Sequence, residues 1–244
     1  MGALDHKVAV VTGAASGIGK ATSLRFGAEG AKVIGIDTDK EGLSAVDGLE
    51  PFVADLTDHD ALKRCIDRTV AGHGRIDILV NNAGISNYSR HADSTLAQWR
   101  CTMAVNLEAC YVMAKLVVPH MIEHRYGRIV NVASTQAIAC EPIGAYVASK
   151  GALAAWTRSL AVDVAEHGIL VNAVAPGCIH TPMSVIDGVD ETITSDFRQW
   201  YVKRRKIPLA RPGEPQEVAN VILFLSCDQC TYVCGHLLGL TITF

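Results

Sequence analysis

Tyr146 and Lys150 stand four residues apart in "YVASK" (146–150), inside a stretch whose apolar periodicity predicts a helix. At that spacing both side chains project from one face, one turn apart. A phenol ionises near pH ~10, and an ammonium beside it in a low-dielectric crevice favours phenolate. The pair reads as a unit that gives or takes a proton at a substrate oxygen. Ser134, closing an apolar run upstream, can offer its hydroxyl to the same oxygen. Singly, each residue also has an ordinary role: Tyr146 as an amphipathic interface residue, Lys150 as a surface cation, Ser134 as a turn or N-cap residue. Their joint placement behind a phosphate-type loop favours the chemical reading.

That loop is "VVTGAASGIGKA" (10–21). An apolar run ends at Gly13, and Gly17 and Gly19 open a helical pattern, with Ser16 and Ile18 between them. Backbone without Cβ atoms at the positive end of a helix lets a pyrophosphate approach the N–H groups. Asp37 ends the next apolar run, where a carboxylate accepts from ribose hydroxyls and repels a 2′-phosphate; its other reading is a solvated residue opening a turn. "VNNAG" (80–84) closes a further run with two amides and a glycine, read as polar contact to a ligand rather than packing.

These residues need a scaffold of alternating strands and helices. Near-continuous apolar runs at 7–11, 31–37, 51–55, 76–81, 127–133 and 169–175 read as strands covered on both faces, with a seventh near 236–242. Helical patterns fall at 59–72, 95–123, 146–167 and 214–226. The order predicts an α/β fold, a doubly wound parallel sheet of about seven strands with helices on both faces, in one domain over residues 1–244.

Composition excludes several alternatives. The net charge of -3 gives no basic field for nucleic acid or an anionic membrane, and the cluster Lys203–Lys206 reads as a solvated helix face. Eight irregularly spaced cysteines suggest reduced thiols and a cytoplasmic location. Cys227, Cys230 and Cys234 lack a matching second pair of ligands beyond His236, so no metal is expected. With Asp5, His6 and Lys7 ahead of an apolar stretch of only five residues no signal peptide is expected, and no uncharged stretch approaches the ~18 residues of a membrane span.

In this order, "TGAASGIG" (12–19), "NNAG" (81–84), Asn106 in "MAVNLEA", Ser134, "YVASK" and "NAVAPG" (172–177) resemble the short-chain dehydrogenase/reductases, from about Lys7 to Gly235. The resemblance implies that Tyr146 exchanges the proton, Lys150 lowers its pKa and holds the nicotinamide ribose, Ser134 orients the substrate, and Asn106 supports a water chain. It implies that Asp55 and Leu56 border the adenine, that Asn82, Ala83 and Gly84 line the adenosine side, and that Pro176, Gly177, Ile179 and Thr181 wrap the nicotinamide. It makes residues 180–207 a mobile lid over the substrate. Gln136, Cys140 and Glu141 then face the pocket, and Gln136 and Glu141 could bind the hydroxyls of a polyol or sugar, or be solvated.

The expected activity is NAD-dependent interconversion of a secondary alcohol and a ketone. Alternatives are a 3-oxoacyl-thioester reductase using NADPH, disfavoured by Asp37, and a non-catalytic dinucleotide-binding regulator. Relatives commonly form homotetramers, so at least a dimer is expected through the helices at 95–123 and 146–167. The tail "GHLLGLTITF" (235–244) reads as shortened by about four residues between Leu238 and Gly239, and Cys234 replaces a small polar residue. That predicts an irregular or shifted last strand.

Overall fold

A computed structural model describes residues 2–139 and 141–241. The apolar runs form strands because helices cover both of their faces. β1 (Val8–Thr12), β2 (Lys32–Asp37), β3 (Leu49–Val53), β4 (Ile78–Asn81), β5 (Gly127–Val132), β6 (Ile169–Pro176) and an edge strand, Leu237–Leu240, make one parallel sheet. Its order is β3, β2, β1, β4, β5, β6, edge strand. The winding reverses between β1 and β4, and a crevice opens beyond the carboxyl ends of the strands at such a reversal.

Every residue of β1, β4 and β5 is buried. On one face, α1 (Gly17–Ala28) and the last helix (Pro215–Ser226) bury Phe26, Val218 and Ile222 against Val11 and Val80. On the other, α3 (His59–His73), α5 (Ala109–His124) and α6 (Gly144–Val164) bury Leu62, Met113 and Val164 against Val10 and Leu79. A short α2, Lys40–Ser44, capped by Asp39, escaped the periodicity.

Three expectations need correction. β3 starts at Leu49 and contains Pro51, whose missing N–H is tolerated because β3 lies at the sheet edge. The long helix expected at 95–123 is α4 (Leu96–Met103) running through a π-helical turn, Ala104–Glu108, into α5. Leu96–His124 is long and apolar enough to pass for a membrane span, yet Met113, Val117 and Met121 are buried in the core. Finally, of the two outcomes expected for the tail, the irregular course is absent over Leu237–Leu240, which pair with Ala173–Pro176 without a break. The rest of the predicted tail, 242–244, and Cys140 lie outside the described residues.

Candidate active site

A cavity of about 920 Å³ runs along the carboxyl ends of the strands, from Asp37 past the glycine-rich loop to Ser134 and Tyr146, and on to residues 181–206. β1 delivers Gly13 with φ +66, and a Cβ there would come within 2.7 Å of Asn82 Nδ2. Gly19 lies against the Gly13 carbonyl, which a Cβ would overlap. This close approach presses the start of α1 onto β1 and leaves Gly13, Ser16, Gly17 and Ile18 along the cavity wall. Gly19 itself does not line the cavity; it acts from behind the loop.

The amides of "VNNAG" serve the scaffold more than a ligand. Asn82 Nδ2 donates to the carbonyls of Thr12 (2.9 Å) and Gly13 (3.2 Å). Thr12 Oγ1 accepts from the backbone N–H groups of Asn82 (3.0 Å) and Ala83 (3.1 Å). Asn81 Nδ2 donates to Asn131 Oδ1 at 2.9 Å, fully buried. Packing, not contact to a ligand, is therefore the principal role of these amides, although Asn82, Ala83 and Gly84 do line the cavity.

At the far end, Asp37 Oδ2 accepts from Ala15 N–H and Oδ1 from Asp39 N–H, each at 3.1 Å. These bonds fix the carboxylate on the cavity wall beside Asp55 and Leu56. Asp55 accepts from the backbone N–H and the hydroxyl of Thr57, which hold its carboxyl below the usual range. Pro176, Gly177, Ile179 and Thr181 line the cavity as well. A cradle that a Cβ would fill, a helix N-terminus beside it and a carboxylate beyond suit a dinucleotide.

Tyr146 and Lys150 share one face of α6, as their spacing requires, and Ser134 follows two residues after β5; all three line the cavity. Lys150 is 3% exposed and donates from Nζ to the Val132 carbonyl at 2.7 Å. Burial pulls its pKa down to about 8. Burial also pushes the Tyr146 phenol above its usual value; the Ser134 hydroxyl pulls it back, and Tyr88 adds to the rise. The lowering expected from Lys150 is therefore not seen: burial outweighs the Ser134 hydroxyl, the one group that opposes the rise.

Asn106 is off the cavity wall. Its Oδ1 accepts from Ile85 N–H (2.8 Å), and Nδ2 donates to Ile85 carbonyl (2.9 Å) and Ser149 Oγ (3.1 Å). The side chain clamps the strand exit carrying Gly84, next to Lys150.

Beyond Tyr146 the cavity is walled by Tyr88, Ile143, Met183, Phe197, Trp200 and Tyr201, together with Gln136 and Glu141. Gln136 Oε1 already accepts from Glu141 N–H at 2.8 Å, and Glu141 Oε1 accepts from Tyr201 Oη at 2.8 Å. The segment after Thr181 folds into short turns, a two-residue ladder (Val185–Ile186 with Val189–Asp190) and a π-helical turn, Arg198–Lys203. Asp190 draws it together, with one oxygen 2.8 Å from His180 Nε2 and the other accepting from Thr192 Oγ1 at 2.7 Å.

A family model described as enoyl-(acyl carrier protein) reductase matches residues 13–240. The chain belongs to the short-chain dehydrogenase/reductases. It is 42% identical over 246 residues to the 3-oxoacyl-(acyl-carrier-protein) reductase of Thermotoga maritima, covering 97% of each chain. Among solved structures, the 3-ketoacyl-(acyl-carrier-protein) reductase of Brucella melitensis complexed with NADH superimposes with a TM-score of 0.89, at 30% identity and 97% coverage of each chain. Levodione reductase gives 0.90 at 31% identity, covering 98% of this chain and 97% of that one.

As a short-chain dehydrogenase/reductase, the protein is an oxidoreductase acting on CH–OH groups. The cavity brings together Ser134, Tyr146, Lys150, Gln136 and Glu141 with every predicted dinucleotide residue except Gly19; Asn106, predicted with the catalytic residues, stays off its wall. The aromatic and apolar wall is not foreseen from the sequence. Its one local signal was "FRQWY" (197–201), where Phe197 and Tyr201 fall one turn apart in an otherwise polar segment; their rings stand 4.9 Å apart.

Proposed function

We propose that the protein is an NAD-dependent oxidoreductase that interconverts a secondary alcohol and its ketone. The observation carrying this is a single cavity with Asp37 at one end and Ser134, Tyr146 and Lys150 toward the other. Gly13, Ser16, Gly17 and Ile18 would hold the pyrophosphate, and Asp37 the adenosine ribose. When bound, the nicotinamide supplies the hydride acceptor or donor. In the oxidising direction Tyr146 Oη, as phenolate, takes the alcohol proton, and in the reducing direction the phenol returns it to the carbonyl oxygen. Ser134 orients that oxygen and favours the phenolate. Lys150, held by the Val132 carbonyl, faces the ribose side beside Gly84. Asn106 acts through the backbone of Ile85.

The wall of Tyr88, Ile143, Met183 and Tyr201 favours a carbonyl flanked by apolar groups over a polyol or sugar, since Gln136 Oε1 and Glu141 Oε1 are engaged with the protein. A 3-oxoacyl thioester is the second reading, supported by the two similar carrier-protein reductases. The NADPH that went with that alternative is disfavoured by the Asp37 carboxylate, a like charge facing a 2′-phosphate.

In this reading the chain works as one domain with residues 180–207 as the lid, and as a homo-oligomer, dimer or tetramer. Only 39% of the most apolar window of Leu96–His124 is buried within one subunit, and Tyr111, edge-on to Trp156, is half exposed. Sedimentation showing a monomer at micromolar concentration would remove the oligomer.

The test is turnover with NAD and NADP against linear and cyclic alcohols, polyols, sugars and 3-hydroxyacyl thioesters. NAD is expected to win clearly, with Asp37→Ala narrowing the gap. Comparable efficiency with both cofactors overturns the cofactor assignment.

A further inference from the structure

The substrate end of the cavity is closed by a hydrogen bond between residues 60 positions apart in sequence. Tyr201 belongs to the π-helical turn Arg198–Lys203, and Glu141 to the loop that follows Ser134. The Tyr201 ring rests on the buried Phe197, so the ring is held from within the lid while its hydroxyl reaches out of it. A second bond, from Tyr88 Oη to the Met183 carbonyl at 2.9 Å, joins the loop after β4 to the lid's start. That bond ends on backbone, which every residue supplies; the bond to Glu141 needs two particular side chains.

We propose that Tyr201 is a positioning residue whose hydroxyl clasps Glu141, so that the lid and the loop after Ser134 close over the substrate as one unit. This rests on the reading of that end as the substrate site. The clasp sets two things. The Tyr201 ring becomes a fixed wall facing the reacting oxygen's neighbours. Glu141, with one oxygen occupied, is oriented by the lid. Burial, with the Glu141 carboxylate adding to it, holds the Tyr201 phenol well above the usual tyrosine range, so it stays protonated and remains the donor.

Lys203, Arg204, Arg205 and Lys206 begin two residues after Tyr201 and are exposed, which supplies a reporter needing neither substrate nor cofactor. Trypsin must have the segment locally unfolded to cut it, so the rate of cleavage tracks lid opening. Losing a hydrogen bond of this kind at a partly exposed site should raise that rate roughly threefold to tenfold. Tyr201→Phe, which keeps the ring, and Glu141→Ala should each do so, and the double variant should be cut no faster than either single variant.

Glu141→Gln keeps a carbonyl acceptor and should restore slow cleavage, which a role for the Glu141 charge would not allow. Melting temperature and NAD affinity should stay at wild-type values in all four variants. Cleavage of Tyr201→Phe at the wild-type rate overturns the clasp. So does a double variant showing the product of the two single effects, or Glu141→Gln cut as fast as Glu141→Ala. If the clasp holds while no alcohol in the panel is oxidised, the functional reading has failed and the clasp has not.

Discussion

Lys150 Nζ stands 5.7 Å from the centroid of the Tyr146 ring, one turn along the same helix, and its nearest bond is to the Val132 carbonyl. The two groups are neighbours without a direct hydrogen bond. In the proposed mechanism Tyr146 is the group whose oxygen meets the substrate, and Lys150 stands behind it, held by the Val132 carbonyl. Replacing Tyr146 by Phe keeps the ring and removes the transferable proton. Turnover should fall by at least about a hundredfold, the lower range for lost general acid–base catalysis, with NAD affinity little changed. A variant keeping more than a tenth of wild-type turnover would exclude Tyr146 as the proton carrier.

Ser134 should reveal itself in the pH profile. Its hydroxyl is the group that pulls the Tyr146 pKa down against burial. Oxidation, which needs phenolate, should accelerate as pH rises into the alkaline range. Ser134→Ala should move that rise to still higher pH, so the variant loses more activity at neutral pH than at alkaline pH. An unshifted profile with uniformly lower turnover would mean that Ser134 orients the substrate only.

Lys150 should leave a mark on stability in the absence of dinucleotide. Its pKa falls from 10.5 in the reference state to about 8 in the fold, through burial. Below about pH 8 folded and unfolded chains both carry the proton, and the burial penalty is constant. Between about 8 and 10.5 the unfolded chain holds more protons, so stability rises with pH. Cys65, Cys110 and Cys178, pushed up to about 11 chiefly by burial, drive stability the other way as pH climbs past the ordinary thiol range. The clean measure is a difference: relative to Lys150→Met, the urea midpoint of the wild type should rise across pH 8 to 10.5. A difference flat in pH would show Lys150 titrating normally.

The strands were legible because a sheet covered on both faces leaves a run of apolar residues with little competing signal. That Ser134, Tyr146 and Lys150 line one cavity was legible for a related reason: Tyr146 and Lys150 sit on a helix whose period fixes their direction, and Ser134 follows two residues after β5. What escaped reading depends on contacts between distant segments. Nothing local in "NNAG" says that Asn82 will spend its amide on Thr12 and Gly13, or that Asn106 will clamp Ile85. Tyr88, Met183 and Tyr201 reach the cavity from separate loops, with no shared periodicity. The π-helical turn at Ala104–Glu108 is invisible to a helical period, since its neighbours keep the apolar stripe on either side.

Two glycines of one helix separate close packing from mere composition. Gly19 and Gly27 both lie in α1, and a Cβ on Gly27 would find nothing within 4 Å. On Gly19 it would overlap the Gly13 carbonyl and come within 2.5 Å of Asn82 Nδ2. Backbone cannot retreat there without breaking the bonds by which Asn82 holds Thr12 and Gly13. Gly27→Ala should stabilise the protein by about 0.5–1 kcal/mol, the helix-propensity gain of alanine over glycine. Gly19→Ala should cost upwards of about 3 kcal/mol, the range of severe overpacking, and weaken NAD binding by displacing the loop. Chemical denaturation of the two variants side by side checks this. Equal effects of one sign would show that the loop is not pinned by the contact between Gly13 and Gly19.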